Sequence, residues 1–255
     1  MKDDMFVLGN REFTSRFILG SGKFSLSIMK EVIDKGAVEM VTLALRRANV
    51  GGKENILDFI PAGITILPNT SGARNATEAV RIARLARDLG CGDYIKIEVI
   101  TDSKYLFPDN HETVKTIEQL ANDGFIVLPY MYPDLIIARQ MAKAGAAAIM
   151  PLGSPIGSNK GLITKEFIKI LINEIDLPII VDAGIGCPSQ ACEAMELGCA
   201  AVMANTAIAT SDNVGLMAEA FKLAVEAGRK AWLAGTGRVL HNRAEASSPL
   251  TGFIN

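Results

Sequence analysis

Lys96 and Glu98 lie two residues apart in the otherwise apolar run of residues 94–100 (YIKIEVI). Such a run predicts a buried β-strand, and because side chains alternate along a strand, the lysine and the glutamate point to the same face. Lys and Glu are seldom fully buried unless they are paired or functional. The pair therefore has two interpretations: a structural ion pair, or a reactive lysine beside a group that transfers protons.

The chemistry of a buried lysine favours the second interpretation. A buried ion pair is seldom a net stabiliser. A lysine among apolar neighbours loses its charge readily, and the neutral amine attacks a carbonyl carbon to form a Schiff base. A permanently charged Glu98 would raise the pKa of Lys96 and oppose this, so we expect Glu98 to exchange protons during the reaction.

Asp182 is a third candidate, at the end of a predicted strand over residues 178–182. It alternates with Val181 and Ala183 and should point the opposite way from them, towards the mouth of a barrel. One interpretation is a carboxylate that caps the following helix. The other is a second acid–base group across the barrel from Lys96.

The elements that position these residues repeat along the chain as an amphipathic helix, a glycine and a short apolar strand. Strands that are apolar on both faces are typical of buried parallel sheets. We predict eight of them, over residues 16–20, 38–43, 63–67, 94–100, 125–129, 146–152, 178–182 and 200–204. Eight such units in 255 residues predict a single (β/α)₈ TIM barrel that spans residues 1–255. An open doubly wound sheet is the alternative, but Gly20-Ser21-Gly22 lacks its glycine fingerprint.

Local signals mark the ends of the helices. A glycine precedes five of the predicted strands, where helices commonly stop in the left-handed conformation; these glycines are Gly36, Gly90, Gly124, Gly145 and Gly198. Asn110 is a candidate N-cap for the helix whose apolar stripe includes Val114 and Ile117. Pro188 suits the first turn of another helix.

Small residues follow the sixth, seventh and eighth predicted strands. In barrels the chemistry lies at the C-terminal ends of the strands, and a phosphate often binds between the loops after strands seven and eight. Glycines in such loops let the backbone approach a ligand, although each one alone also fits a tight turn. The candidate phosphate cradle consists of Gly157, Ala183, Gly184, Asn205 and Thr206.

Bulk composition excludes several classes of function. With 26 basic and 28 acidic residues the net charge is −2, which gives no electrostatic basis for binding nucleic acid or an anionic membrane. The first five residues are polar, no signal-type apolar run follows them, and no stretch approaches the ~20 apolar residues of a membrane helix. We therefore expect a cytoplasmic protein that binds neither nucleic acid nor membrane.

The metal-binding and thiol inventory is small. The chain has four cysteines and two histidines, at Cys91, Cys187, Cys192, Cys199, His111 and His241. No two cysteines form a CxxC pair, so we expect reduced thiols and no metal site.

Seven motifs, in order along the chain, resemble those of the bacterial thiazole synthases of thiamine biosynthesis. They are residues 17–22 (FILGSG), 67–72 (LPNTSG), 95–100 (IKIEVI), 149–158 (IMPLGSPIGS), 181–186 (VDAGIG), 205–208 (NTAI) and 246–249 (ASSP). The resemblance runs from near Phe17 to the C-terminus, and seven ordered motifs are far more specific than any one of them.

The resemblance implies a (β/α)₈ barrel that condenses 1-deoxy-D-xylulose 5-phosphate, dehydroglycine and the thiocarboxylate of a sulfur-carrier protein into a thiazole phosphate carboxylate. It implies that Lys96 is the Schiff-base lysine and that Glu98 and Asp182 are acid–base carboxylates. The residues that match the sugar-phosphate site are Gly157, Ala183, Gly184, Asn205 and Thr206.

The same resemblance implies that no metal or organic cofactor is needed. Its implied partners are the sulfur-carrier protein in a transient complex, the enzyme that produces dehydroglycine, and further copies of the chain in a homotetramer. Arg46 and Arg47 either meet an acidic group of a ligand or lie in solvent, and residues 48–55 match no motif.

Two other functions remain open on the residues alone. A class I aldolase acting on another sugar phosphate also needs a barrel lysine and phosphate loops. A non-catalytic scaffold that binds a phosphate or docks a carrier protein would need the loops but no reaction at Lys96.

Overall fold

Eight parallel strands, each predicted from the sequence, form the central sheet. The structure is a computed structural model that describes residues 4–22, 24, 26–45, 59–240 and 244–245. Its strands are β1 (Phe6–Leu8), β2 (Arg11–Phe13), β3 (Phe17–Gly20), β4 (Met40–Ala44), β5 (Thr65–Asn69), β6 (Tyr94–Ile97), β7 (Ile126–Met131), β8 (Met150–Pro151), β9 (Ile180–Val181) and β10 (Ala201–Ala204). Its helices are α1 (Leu26–Gly36), α2 (Ala76–Asp88), α3 (Asn110–Asn122), α4 (Leu135–Lys143), α5 (Lys165–Glu174), α6 (Pro188–Glu196), α7 (Thr206–Ala209) and α8 (Val214–Ala234).

The sheet closes into a barrel. Its hydrogen-bonded order runs from β8 through β7, β6, β5, β4 and β3 to β10 and β9, and all seven pairings are parallel. Parallel bridges from Ile149 to Ile179 and from Leu152 to Asp182 join β8 to β9. The predicted (β/α)₈ barrel is therefore confirmed, with six of its eight strands shorter than the apolar runs suggested.

Two apolar layers hold the barrel together. One packs the outward faces of the strands against the helices, and the other fills the interior. The interior layer includes Ile18, Leu67 and Leu128 from the strands, together with Phe6 and Phe13 from the antiparallel β1–β2 hairpin. This hairpin, which the sequence analysis did not predict, packs at the N-terminal end of the barrel and leaves the opposite end open.

Four of the five glycines that precede strands have the expected left-handed backbone. Their φ angles are 83° (Gly90), 80° (Gly124), 103° (Gly145) and 103° (Gly198). Gly36 is the exception, because the next residue, Ala37, takes the left-handed conformation with a φ of 46°. A Cβ on Gly36 would lie 3.0 Å from the ring of Phe17, so this glycine is needed for close packing of α1 on β3.

The N-cap of α3 lies one residue earlier than predicted. The side chain of Asp109, and not that of Asn110, accepts hydrogen bonds from the backbone N–H groups of His111 and Glu112. The amide of Asn110 instead bonds the backbone N–H and C=O of Tyr132 and so ties α3 to the end of β7. Pro188 occupies the first turn of α6 as expected.

Candidate active site

A cavity of about 300 Å³ opens at the C-terminal ends of the barrel strands. Its lining includes Gly20 at the end of β3, Thr42 of β4 and Leu106 from the loop after β6. It also includes every site residue that the sequence analysis named: Lys96, Glu98, Gly157, Asp182, Ala183, Gly184, Asn205 and Thr206. Residues from four separate strand ends thus meet in one place.

Lys96 lies between two carboxylates at the base of this cavity. It belongs to β6, Glu98 directly follows that strand, and Asp182 comes from the end of β9 across the barrel. Its Nζ donates a hydrogen bond to Oε1 of Glu98 at 2.7 Å and lies 2.5 Å from Oδ2 of Asp182. The three residues are 3–6% exposed, so their charges act on one another with little screening by water.

The charges decide the resting state of the lysine. Burial by itself would lower the pKa of Lys96, but the charges of Asp182 and Glu98 outweigh that effect and raise the pKa to about 12. Burial raises the pKa of the Asp182 carboxyl, an effect that Lys96 opposes and Glu98 reinforces. The lysine therefore rests as an ammonium, and a carboxylate made more basic by burial lies in position to take its proton.

Tyr130 is a buried neighbour of Lys96 that the sequence analysis missed. Its side chain is fully buried, and Nζ of Lys96 lies 5.3 Å from the centre of its ring, within the range of a cation–π contact. Burial and the charges of Asp182 and Glu98 raise the pKa of its hydroxyl, which has no hydrogen-bond partner among the described residues. Leu128 pairs with Lys96 in the sheet. Because side chains alternate along a strand, Tyr130 lies on the same interior face as Leu128.

The loop after β9 approaches the loop after β8 more closely than any side chain would permit. Gly184 has a φ of 81°, and a Cβ there would lie 1.8 Å from Oγ of Ser154. Ala183, directly before it, also has a left-handed backbone, with a φ of 65°. Gly157 has a φ of 75° on the facing loop. Small residues are therefore required here by backbone geometry, and they leave peptide groups at the cavity wall.

Asn205 joins the loops that follow β10 and β3. With its amide oriented to satisfy both groups, the nitrogen donates to the carbonyl of Gly20 at 3.0 Å and the oxygen accepts from the N–H of Gly22 at 3.3 Å. A Cβ on Gly20 would lie 2.5 Å from that of Asn205. Asn205 thus holds the wall of the cavity together, beside Thr206 at the start of α7.

The other singled-out residues lie apart from this centre or beyond the described residues. Arg46, Arg47, residues 48–55 and the motif over residues 246–249 lie outside the described part of the chain. Cys187 is the N-cap residue of α6, and its Sγ lies 3.1 Å from Oγ of Ser189. All four cysteines are free thiols.

The described residues contain neither a metal-binding cluster nor a membrane-spanning helix. In that part of the chain, no group of three or more His, Cys, Asp and Glu side chains is arranged to hold a metal ion. None of the described helices combines the length and the apolar character needed to cross a membrane.

Comparison with known proteins gives a consistent result over the length of the chain. The family model of the thiazole biosynthesis protein ThiG matches residues 7–249. The thiazole synthase of Clostridium beijerinckii is 68% identical over 254 residues, which are 100% of this chain and 99% of the relative. That of Fusobacterium nucleatum is 67% identical over 252 residues, 99% of this chain and 98% of the relative.

One of the solved structures that resemble this chain is that of the BexX/CysO complex of Amycolatopsis orientalis. The matching chain is 31% identical, with a TM-score of 0.84, and the match covers 92% of this chain and 98% of the other. The similarity in three dimensions therefore extends over nearly the whole of both chains.

Proposed function

This chain belongs to the ThiG family of thiazole biosynthesis proteins and is a thiazole synthase, and we propose that Lys96 forms the Schiff base of its reaction. The observation that carries the proposal is the buried ammonium of Lys96 between Glu98 and Asp182, at the base of a cavity with glycine-rich walls. The substrate ketone is that of 1-deoxy-D-xylulose 5-phosphate, which the family resemblance implies.

Proton transfer within the cluster starts the chemistry. Asp182 takes one proton from the ammonium of Lys96, and the freed amine adds to the ketone carbon. The carbinolamine then loses its hydroxyl as water with the proton that Asp182 holds, which leaves a protonated imine and an ionised carboxylate. No proton has to cross bulk water, so the raised pKa of Lys96 is compatible with a nucleophilic lysine.

The imine makes the later steps accessible. A protonated imine acidifies the neighbouring C–H bonds, so Glu98 and Asp182 can move the protons that shift the carbonyl along the sugar. The thiocarboxylate of the carrier protein supplies sulfur, and dehydroglycine supplies nitrogen and two carbons. These residues act without a metal or an organic cofactor in this scheme.

The walls of the cavity bind the phosphate of the sugar. Left-handed backbones at Ala183 and Gly184 and the close approach of the facing loop support this role, because successive peptide N–H groups in such turns favour an anion. The other proposed contacts come from Gly157, Asn205 and Thr206, which line the same cavity.

The partner is a sulfur-carrier protein that reaches the open end of the barrel. The similarity to a chain of the BexX/CysO complex supports an encounter with a second protein. Following the family resemblance, we also propose a cytoplasmic homotetramer in which each chain is one domain over residues 1–255, supplied by a separate dehydroglycine-producing enzyme.

Trapping with borohydride tests the Schiff base directly. We expect reduction in the presence of 1-deoxy-D-xylulose 5-phosphate to add the sugar to Lys96 alone, as read by peptide mass spectrometry. Labelling by a different ketose phosphate, with none by this one, would mean a class I aldolase. No labelling of Lys96 by any of these sugars would mean a scaffold without this reaction.

Removing the proposed proton acceptor changes the pH dependence of imine formation. In the native protein, imine formation is lost as the pH falls through the raised pKa of Asp182, because the protonated carboxyl accepts no proton. In Asp182→Asn we expect that acid limb to disappear and the rate to fall by roughly 10²- to 10⁴-fold. Borohydride labelling across a pH series measures both effects.

Glu174→Gln is the matched control, since Glu174 forms an exposed ion pair with Arg139 and lies outside the cavity. We expect it to keep the native rate and profile. An unchanged acid limb in Asp182→Asn would assign the proton acceptor to another group.

A further inference from the structure

A turn after β5 interrupts the backbone pairing of the barrel beside Glu98. Strand β5 ends at Asn69, and residues 70–73 form a turn in which the N–H of Ala73 donates to the carbonyl of Thr70 at 3.0 Å. Gly72, the third residue of the turn, has a φ of 103°, which a type II turn requires. Backbone pairing with the segment that follows β6 resumes where Ala73 bridges Val99.

This turn occupies the carbonyl with which the N–H of Glu98 would pair in a regular ladder. Thr70 N–H still donates to the carbonyl of Lys96 at 3.1 Å, as in a regular parallel ladder. The next N–H in the ladder, that of Glu98, would then donate to the carbonyl of Thr70. That carbonyl already accepts from Ala73 in the turn.

One hydroxyl replaces the missing backbone pairing. Oγ1 of Thr70 accepts a hydrogen bond from the N–H of Glu98 at 2.8 Å and donates to the carbonyl of Glu98 at 3.0 Å. Thr70 is fully buried, and Glu98 is 6% exposed, so water has little access to these groups. The backbone of Glu98 is thus held from both ends by a single side chain.

We propose that Thr70 is a positioning residue, which fixes the backbone of Glu98 and thereby holds its carboxylate against Lys96. Oε1 of Glu98 accepts a hydrogen bond from Nζ of Lys96 at 2.7 Å, and Oδ2 of Asp182 lies 2.5 Å from the same nitrogen. A shift of the Glu98 backbone would therefore displace one of the two carboxylates that hold the reacting amine. This inference rests on the proposed Schiff-base function of Lys96.

The test compares Thr70→Val, which keeps the shape and removes the hydroxyl, with Thr70→Ser, which keeps it. In Thr70→Val we expect the rate of borohydride-trapped imine formation to fall roughly ten- to a hundredfold, since small misplacements of a reacting group have effects of that size. We expect the KM for the sugar phosphate to change by less than about threefold, because Thr70 is not among the residues that line the cavity. Thr70→Ser should keep the rate within about threefold of the native value.

Thr116→Val is the matched control for the loss of a buried threonine hydroxyl. Its Oγ1 donates only to the carbonyl of Glu112 within α3, far from the cavity, and it is fully buried. We expect it to lower the Tm and leave the imine rate per folded molecule unchanged. If Thr70→Val does not fold, Thr70→Ala leaves room for a bridging water and is read in the same way.

The outcomes separate the two claims. If the native protein gives no trapped imine at Lys96 with 1-deoxy-D-xylulose 5-phosphate, the proposed function fails, whatever the variants do. If the native protein reacts and Thr70→Val reacts equally fast per folded molecule, or is slowed only through KM, the role of Thr70 is overturned.

Discussion

Lys96→Met is expected to abolish imine formation and, at pH 7, to destabilise the protein by about 3–5 kcal/mol. The methionine fills a similar volume but leaves Glu98 and Asp182 buried beside each other without their cation. Like charges without a counter-ion in a site of this kind are unfavourable, so the cost is larger than the loss of one contact. Thiazole formation should fall by at least about 10⁴-fold, because no other described side chain takes the place of the nucleophile.

The stability that Lys96 contributes, and the stability lost in Lys96→Met, both depend on pH. The pKa of Lys96 is about 12 in the folded protein against 10.5 for an ordinary lysine, so its stabilising effect is complete below pH 10.5 and is lost as the pH rises through 12. In the variant, burial and Glu98 still raise the pKa of Asp182, and Lys96 no longer opposes that shift. The destabilisation should therefore shrink as the pH falls from 7 towards 4, as measured by denaturant unfolding across that range.

Two further variants test whether the loss of stability comes from the buried carboxyls around Lys96. Lys165→Met removes an ammonium from an exposed ion pair with Glu193, and we expect a change within about 0.5 kcal/mol. The double variant Lys96→Met/Glu98→Gln should recover part of the lost stability and none of the activity, because only one buried carboxylate then remains. An equally stable Lys96→Met at pH 7 would contradict the prediction that the ammonium of Lys96 offsets the buried carboxyls around it.

The barrel could be predicted because its pattern is periodic. Each of the eight strands is a short apolar run, and six of them follow a described amphipathic helix, an order typical of a closed barrel. The β1–β2 hairpin escaped prediction because three-residue strands are too short to show alternation. Its two-residue loop, Gly9-Asn10, with a φ of 61° at Gly9, is the signal that would have indicated it.

The candidate site was predictable where it depends on strand order and less so where it depends on a bend. Strand alternation placed Lys96, Glu98 and Asp182 at one end of the barrel, and the structure brings them into contact. Tyr130 was missed because the predicted strand stopped at residue 129. Thr70 was missed because its role arises from a turn that interrupts a ladder, and no periodic pattern marks such an interruption.

Asn205 illustrates a different limit. Its position after the last strand was predicted, and it does line the cavity. Its amide, however, is occupied with the backbone of Gly20 and Gly22. A sequence indicates which strand end carries a polar group, but whether that group faces a ligand or a neighbouring loop depends on distances between loops that are far apart in the chain.

Gly184→Ala is expected to act through the walls of the cavity that would bind the phosphate and not through the reacting groups. The added Cβ would lie 1.8 Å from Oγ of Ser154 and 2.7 Å from its backbone N and O, so a rotation of the serine side chain cannot relieve the clash. One of the two loops must move, which would raise the KM for the sugar phosphate by roughly tenfold or more.

Gly124→Ala is the matched control, because Gly124 has nearly the same φ, 80°, but a Cβ there meets nothing within 4 Å. It should lose about 1–2 kcal/mol from the left-handed backbone alone and keep the native KM. A Gly184→Ala protein that matched this control in both the free energy of unfolding and KM would mean that the close approach to Ser154 has no part in holding the sugar phosphate.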